Sequence, residues 1–237
     1  MKNKLLLIML TLGLSSQAFA GDDDNEIWLQ QSGTGLTLNL TQKGYGNKVG
    51  GDDFSGTSID MILTGATNSL TLIQYGDSNK LYGPFLADTS TVNLTFTGDS
   101  NSMDWNFGYV GSADSANMLG TITGSSNTFD IDVGYEASAE YLNWDLVTTG
   151  SSNVFTTKID SDNAVWNWTV TGSSNDINTL MADATDNSLT AVLTGSSNDI
   201  DIIQKSGSDT GCPTGQSCSG IIDVSFVTSN ANIDIVQ

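Results

Sequence analysis

The residues in this chain of 237 that could do chemistry are mainly carboxylates. The sequence has 27 acidic residues and seven lysines, but no arginine and no histidine. Without histidine there is no imidazole base or zinc ligand, which excludes Ser/His/Asp and Cys/His nucleophile systems. Paired aspartates can cleave polysaccharides, but no such pair stands out and no lysine cluster would hold an acidic sugar. We therefore predict that the chain is not an enzyme and has no catalytic residues, cofactor or metal centre.

The charge of the chain limits its partners. A formal net charge of -20 with no basic cluster predicts no binding to nucleic acid or to anionic lipid surfaces, since both depend on Lys and Arg. Acids that alternate along predicted strands, such as Asp130 and Asp132 or Asp199 and Asp201, would repel their counterparts on neighbouring strands. We therefore predict self-association that depends on salt or Ca²⁺; the alternative is that these carboxylates form simple solvated faces. No EF-hand loop or RTX-type nonapeptide is present, so no specific Ca²⁺ site is named.

The first 20 residues carry the pattern of an export signal. Lys2 and Lys4 precede an apolar run from Leu5 to Leu14, and Ala18-Phe19-Ala20 forms a small-x-small cleavage site. The alternative, an uncleaved anchor, would need about 20 apolar residues, roughly twice this run. No later segment is apolar enough to cross a bilayer, so we predict no membrane insertion. The sequence thus divides into a signal peptide, 1–20, and one mature domain, 21–237.

The two cysteines lie close together in the sequence. Cys212 and Cys218 occur in GCPTGQSC, and an exported pair at this spacing is expected to form a disulfide in an oxidising compartment. The spacing does not fit a thioredoxin-like CxxC motif. We therefore predict a disulfide loop at 212–218.

The strongest pattern in the sequence is a repeated Gly-x-x-Asn unit. Successive glycines of this unit are 21, 11, 22, 26, 26, 22 and 23 residues apart, and four copies are the identical pentapeptide TGSSN. The eight copies are Gly44 to Asn47, Gly65 to Asn68, Gly76 to Asn79, Gly98 to Asn101, Gly124 to Asn127, Gly150 to Asn153, Gly172 to Asn175 and Gly195 to Asn198.

The residues that flank each unit predict strands. The second residue after the Asn is apolar in all eight copies, as in Val49, Phe129 and Ile200, and the next is mostly polar. Because alternation of period 2 beside Gly and Asn indicates strand, tight turn and strand, each period of about 22 residues is predicted to form one coil. A single coil cannot bury its apolar face, so coils must stack. We predict an all-β fold, a β-solenoid of about nine coils and roughly 40 Å in length at ~4.8 Å per coil.

Two intervals are longer than the others. The segments 102–123 and 128–149 have four additional residues and contain Trp105, Phe107, Tyr109, Tyr135, Tyr141 and Trp144. We expect small loops to project there. The aromatic side chains either fill or cap the solenoid or form a contact patch for a partner.

A column of threonines suggests a different function. Six of the eight units have Thr immediately before the Gly, namely Thr64, Thr97, Thr123, Thr149, Thr171 and Thr194. This column is similar to the flat threonine arrays of ice-binding solenoids, so a monomeric surface-binding module for ice or carbohydrate is the alternative function. The 26-residue intervals are expected to disturb the register that such an array needs. A third possibility, a β-helix enzyme that degrades polysaccharide, is less favoured. Such enzymes usually have three sheets in cross-section, and coils of ~22 residues are too short for three.

Two copies of the repeat carry a longer motif. QKGYGN, from Gln42 to Asn47, and QYGDSN, from Gln74 to Asn79, resemble the curlin repeat, whose pattern is Gln-x-Gly-x-x-Asn in a unit of about 22 residues. The resemblance extends from about Ile27 to Gln237. In the other copies the Gln is replaced, by Leu63, Phe96, Ile122, Thr148, Val170 or Leu193, so a more aliphatic interior is expected.

The resemblance carries expectations about structure and function. Members of the curlin-repeat family are secreted subunits and nucleators of curli, extracellular cross-β fibres of biofilm matrices that serve in adhesion. It implies that Gln42, Asn47, Gln74 and Asn79 form hydrogen-bonded ladders between coils, and that the Asn of every other unit, including Asn68, continues the ladder. It also implies periplasmic export, location at the cell surface in a pilus or fimbrium, and self-association or association with similar subunits as the partner interaction. The stretch from Ile221 to Gln237 is alternating β sequence without a cap and is a candidate docking edge.

Overall fold

The chain forms stacked parallel strands, as seen in a computed structural model. The structure describes residues 26–27, 30–52, 58–59, 62–107, 114–133, 140–160, 163–182, 187–204 and 220–236. These ranges contain 21 strands, numbered here along the chain, and no helix. The all-β solenoid predicted from the sequence is therefore confirmed. The predicted signal peptide and the loop with Cys212 and Cys218 lie outside the described residues.

Most strands belong to two parallel sheets. Sheet A has eight strands: β3 (Thr37–Lys43), β8 (Ser69–Tyr75), β10 (Thr91–Thr97), β12 (Asn117–Thr123), β14 (Asn143–Thr149), β16 (Val165–Thr171), β18 (Asn187–Ser196) and β20 (Gly220–Ser229). Sheet B has eleven: β1 (Glu26–Ile27), β2 (Gln30–Thr34), β4 (Lys48–Val49), β7 (Ile62–Ala66), β9 (Lys80–Asp88), β11 (Ser102–Phe107), β13 (Thr128–Val133), β15 (Val154–Asp160), β17 (Asp176–Ala182), β19 (Asp199–Gln204) and β21 (Asn232–Val236). A short antiparallel ribbon, β5 (Gly51–Asp52) with β6 (Ser58–Ile59), lies between β4 and β7.

The chain passes alternately from sheet A to sheet B. One coil is a sheet A strand and the sheet B strand or strands that follow it, so coil 1 is β3 with β4 and β7, coil 2 is β8 with β9, and coil 8 is β20 with β21. The strands β1 and β2 pair beneath β4 and β7 as an N-terminal half-coil. Among the described residues there are therefore eight coils and a half-coil, in agreement with the prediction of about nine.

The stacking register is independent of coil length. Equivalent asparagines in coils 1 to 7 are separated by 32, 22, 26, 26, 22 and 23 residues, yet every strand of sheet A pairs in parallel with its neighbour. The additional residues of the 26-residue intervals lie between Phe107 and Asn117 and between Val133 and Asn143, outside the sheet strands. The expectation that these intervals disturb the threonine register is therefore wrong.

The interior between the two sheets is a continuous apolar strip. Alternate residues of each strand point inward, so that β12 and β16 show a regular exchange of buried and exposed positions. Identical aromatic residues stack between coils, with ring centroids 4.7 Å apart for Trp144 and Trp166 and 4.9 Å apart for Phe129 and Phe155. These distances match the spacing of strands in a sheet. Trp144 is fully buried, which confirms for this residue the alternative that the aromatic side chains fill the solenoid.

Candidate functional site

Seven of the eight Gly-x-x-Asn units stack at one corner of the solenoid, where sheet A strands lead into sheet B. We call this stack the asparagine corner. Its asparagines are only 0–1 % exposed, and they are Asn47, Asn79, Asn101, Asn127, Asn153, Asn175 and Asn198.

A ladder of hydrogen bonds connects these asparagines. In each pair, the backbone N–H of one Asn donates to Oδ1 of the Asn in the next coil, at 2.8–3.1 Å. Asn127 also donates its side-chain Nδ2 to Asn153 Oδ1 at 3.1 Å, and Asn153 donates Nδ2 to Asn175 Oδ1 at 3.2 Å. Because buried N–H groups need acceptors, the ladder allows the chain to turn sharply inside a dry interior.

The glycines of the same corner allow the coils to approach closely. Their φ angles lie between +114° and +146°, a region that other residues rarely adopt. From Gly76 to Gly195, a Cβ would fall 1.7–2.2 Å from the carbonyl oxygen of the corner glycine one coil earlier. These glycines are Gly44, Gly76, Gly98, Gly124, Gly150, Gly172 and Gly195. Both backbone geometry and space therefore require glycine in coils 2 to 7.

The Gly65 to Asn68 unit lies at the opposite corner, where sheet B leads into sheet A. Asn68 Oδ1 accepts a hydrogen bond from Leu36 N at 3.0 Å, and Asn68 N donates to Ser90 Oγ at 3.0 Å. The equivalent positions in coils 4 to 6 are Ala116, Leu142 and Ala164, which have no acceptor. The expectation that Asn68 continues the asparagine ladder is therefore wrong, because its 11-residue offset is half a coil.

The glutamine ladder is confined to the first two coils. Gln42 and Gln74 are fully buried, and Gln74 Nε2 donates to Gln42 Oε1 at 2.7 Å. Each Nε2 also donates to the backbone across the turn, Gln42 to Lys48 O at 3.1 Å and Gln74 to Lys80 O at 3.3 Å. In coils 3 to 8 the column continues with Phe96, Ile122, Thr148, Val170, Leu193 and Phe226. The interior is therefore more aliphatic toward the C-terminus.

A second side-chain ladder at the asparagine corner was not predicted. The residue after each glycine accepts a hydrogen bond from the equivalent backbone N–H one coil later: Asp99 N donates to Asp77 Oδ1 at 2.7 Å, and Ser151 N donates to Ser125 Oγ at 3.1 Å. Ser196 N continues the series to Ser173 Oγ. The signal was present in the sequence, because this position is always Asp or Ser from coil 2 to coil 7.

Carboxylates concentrate on the outer face of sheet B. Asp104 lies beside Asp130, Asp176 beside Asp199, and Asp201 beside Asp234, in register on neighbouring strands. In parallel strands such pairs are about 4.8 Å apart, so each pair is repulsive. Among the described residues no group of three or more acidic or cysteine side chains could hold a metal ion.

One of these carboxyls has a perturbed pKa. Partial burial raises the pKa of Asp132 above its ordinary value, and the nearby Asp130 raises it further, whereas Lys158 opposes the change. The Lys158 Nζ lies 3.7 Å from Asp132 Oδ1. Burial outweighs the ion pair because Lys158 is half exposed, where water weakens the attraction.

The C-terminal coil departs from the corner pattern. Thr228 occupies the place of the glycine and Ala231 that of the asparagine. Every residue of β21 is exposed, including the inward-register side chains Ile233 at 38 % and Ile235 at 40 %. Among the described strands, none pairs with the outer edges of β20 and β21. This end of the solenoid is therefore an open edge with an accessible apolar interior.

The N-terminal end is covered on one side only. The strands β1 and β2 pair with β4 and β7 in sheet B. In sheet A, β3 is the terminal strand, and it pairs only with β8 among the described strands. Its inward residues Leu38 and Leu40 remain buried. Among the described residues, both ends of the solenoid thus have an unpaired strand edge: in sheet A at the N-terminal end, and in both sheets at the C-terminal end.

No protein-family model matches the chain, and no curated protein or solved structure matches it significantly. Among the described residues, no helix is long and apolar enough to span a membrane.

Proposed function

We propose that this protein is a secreted structural protein that stacks end to end into a curlin-like fibre at the cell surface, where the fibre serves in adhesion and matrix formation. The observation that carries the proposal is the pair of open ends on a solenoid with parallel, in-register strands. Unpaired N–H and C=O rows are templates for another chain. A second copy can continue the sheets with the spacing that already exists within one copy.

The two ends have matching side chains. If β3 of one copy pairs with β20 of the copy before it, Leu38 lies above Ile222 and Leu40 lies above Val224. Ile222, Val224 and Phe226 are partly buried against the core, so docking would complete their burial. Burial of apolar surface contributes roughly 25 cal/mol per Å², so completing this burial favours docking.

The asparagine ladder would continue across the same junction. Within the chain, each ladder N–H is accepted by the Asn of the following coil. In the last coil the corresponding N–H belongs to Ala231, and the first asparagine of the next copy is Asn47. Asn47 Oδ1 would therefore accept from Ala231 N, in the geometry that the chain repeats internally.

One strand must move for the junction to close. Sheet B ends in β21 at one end of the molecule and in the half-coil of β1 and β2 at the other. When β3 of the next copy docks on β20 of the first, two sets of strands compete for the free edge of β4 and β7 in the next copy. One is β21 of the first copy, and the other is β1 and β2 of the next copy itself. We expect this competition to slow assembly, because hydrogen-bonded strands have to be exchanged.

Deletions at the two ends test this junction. The mature chain 21–237 is compared with a variant lacking residues 21–34, a variant lacking 232–237 and a double deletion, by thioflavin fluorescence and electron microscopy. Each single deletion removes one competitor and should shorten the lag phase, whereas the double deletion leaves sheet B one strand short and should assemble more slowly than either. The proposal is refuted if all four chains stay monomeric, or if the double deletion assembles fastest.

A further inference from the structure

The outer face of sheet A has few charged residues and several exposed apolar side chains. We define this face as the outward side chains of β8, β10, β12, β14, β16, β18 and β20. Of the twelve exposed large hydrophobic side chains among the described residues, seven lie on it. In the central coils these are Leu119, Val147, Val165 and Val192, which are 39–45 % exposed. Concentration of exposed apolar residues on one face marks an interaction surface.

Two rows of β-branched residues run along this face. One row contains Thr95, Thr121, Val147, Thr169 and Val192, and its residues pair in register from coil 3 to coil 7. The second row is Thr97, Thr123, Thr149, Thr171 and Thr194. The predicted column is thus present except for Thr64, which lies in sheet B. Stiff side chains repeated every ~4.8 Å make a regular, corrugated surface.

Charge is almost absent from the same face. In coils 3 to 7 its one charged residue is Asp145, whose Oδ1 accepts a hydrogen bond from Asn167 Nδ2 at 2.7 Å. Among the side chains that the structure describes, the outer face of sheet B in the same coils has six aspartates and one lysine: Asp104, Asp130, Asp132, Asp176, Asp199, Asp201 and Lys158. For a chain with net charge -20, sheet A is therefore the face where another copy could approach without strong local repulsion.

We propose that two copies of this chain pair laterally through the outer faces of their A sheets. The seven strands of the face span roughly 34 Å by 23 Å. The projected area is roughly 800 Å² per copy, which is the size of a standard stable interface. The β-branched rows would interdigitate as in a dry zipper between paired sheets. The contact is isologous, so it closes with two copies.

This lateral pairing goes beyond the end-to-end stacking and uses a different surface. The ends expose strand edges, whereas the strands of the outer face from β8 to β18 are paired on both sides and offer only side chains. Substitutions on the outer face should therefore change lateral pairing but not end-to-end stacking. Deletions at the ends should change end-to-end stacking but not lateral pairing.

Sedimentation velocity of the mature chain over a concentration series measures the pairing. Thr121→Lys and Thr169→Lys place a charge in the middle of the face, and Thr128→Lys places the same charge at an exposed outward position of sheet B. Lysine lowers the net negative charge and so favours association in general. If dimer is lost in Thr121→Lys and Thr169→Lys but not in Thr128→Lys, the loss is therefore due to the position of the lysine on the outer face of sheet A. We expect the dimer dissociation constant to rise at least about tenfold for these two and to stay within about twofold for Thr128→Lys.

A second pair of variants tests the effect of removing a carboxylate from each face. Asp145→Asn removes one of the two carboxylates that pairing would desolvate, the other being Asp223 on β20, and should tighten the dimer. Asp130→Asn, on the acidic face, changes net charge equally and should tighten it less. Circular dichroism checks that each variant keeps its strands.

Four outcomes would overturn the proposal. The first is a mature chain that stays monomeric up to high concentration, and the second is equal weakening by Thr128→Lys and Thr121→Lys. The third is a monomer that shows thermal hysteresis abolished by Thr121→Lys, since the face would then bind ice. Dimers that respond to the deletion of 232–237 but not to the lysines would be end-to-end contacts and would also contradict lateral pairing.

Discussion

Replacement of Asn153 by alanine should destabilise the solenoid strongly, although the change removes only a few atoms. Asn153 is fully buried in the middle of the asparagine corner. Its Oδ1 accepts two hydrogen bonds from Asn127, from the backbone N at 3.0 Å and from Nδ2 at 3.1 Å. Alanine would leave both donors buried without this acceptor.

The expected magnitude follows from those two donors. A buried donor that loses its partner costs about 1–3 kcal/mol, so Asn153→Ala should reduce the free energy of unfolding by about 2–6 kcal/mol. The lost bond from Asn153 Nδ2 to Asn175 Oδ1 adds to this. The matched control is Asn117→Ala, which changes an exposed outward asparagine of sheet A and should cost less than about 0.5 kcal/mol.

Urea unfolding followed by far-ultraviolet circular dichroism and tryptophan fluorescence measures both variants. Asn153→Asp provides a further check, because it keeps Oδ1 but turns a second oxygen toward Asn175 Oδ1. Burial should raise the pKa of the introduced carboxyl. Its protonated form should therefore be tolerated in acid, and stability should be lost as the pH rises through the folded-state pKa. If Asn153→Ala were no more destabilising than Asn117→Ala, the buried ladder would be refuted.

Three further predictions concern the corner glycines, the acidic face and ionic conditions. Gly150→Ala should cost more than Gly35→Ala by several kcal/mol in urea unfolding, because both have positive φ but a Cβ at Gly150 would fall 1.8 Å from Gly124 O, whereas nothing lies within 4 Å at Gly35; equal costs would contradict the close coil contact. Asp132→Asn should raise the urea midpoint of unfolding at neutral pH but not in acid. Because the pKa of Asp132 is raised in the folded state, the contribution of this carboxyl to stability is fully present below the unfolded-state pKa and is lost as the pH rises through the folded-state pKa. An equal increase of the midpoint at both pH values would contradict the raised pKa. Assembly should accelerate with NaCl and with millimolar Ca²⁺, because cations screen the aspartate pairs of sheet B; lag times that are independent of both salts and of a chelator would rule this out.

The architecture was predictable because its signal is repeated. Eight Gly-x-x-Asn units with period-2 flanks together predict the strands, the turns and the stacking. Stacking follows because a single coil cannot bury its apolar face alone. The local turn chemistry of Gly and Asn is a property of the sequence alone. The rows of apolar residues, from Leu70 to Ile222, then follow from the in-register pairing of the coils.

Other features depended on which corner each unit occupies. Gly65 to Asn68 has the same motif as the other seven, and only the 11-residue offset places it half a coil away. The position of Trp144 could not be read from the length of its interval, because that length does not show that Trp144 falls in an inward position of β14. The polarity difference between the two outer faces likewise requires knowledge of which strands share a sheet.

Cryo-electron microscopy of residues 21–237, left to assemble alone, is the sharpest test of end-to-end stacking. Such stacking predicts unbranched fibres in which strands run perpendicular to the long axis at a spacing of about 4.8 Å. The rungs should continue from β20 of one copy to β3 of the next without interruption. Fibres whose subunits contact one another through turns, with the edges of β3 and β20 facing water, would contradict it.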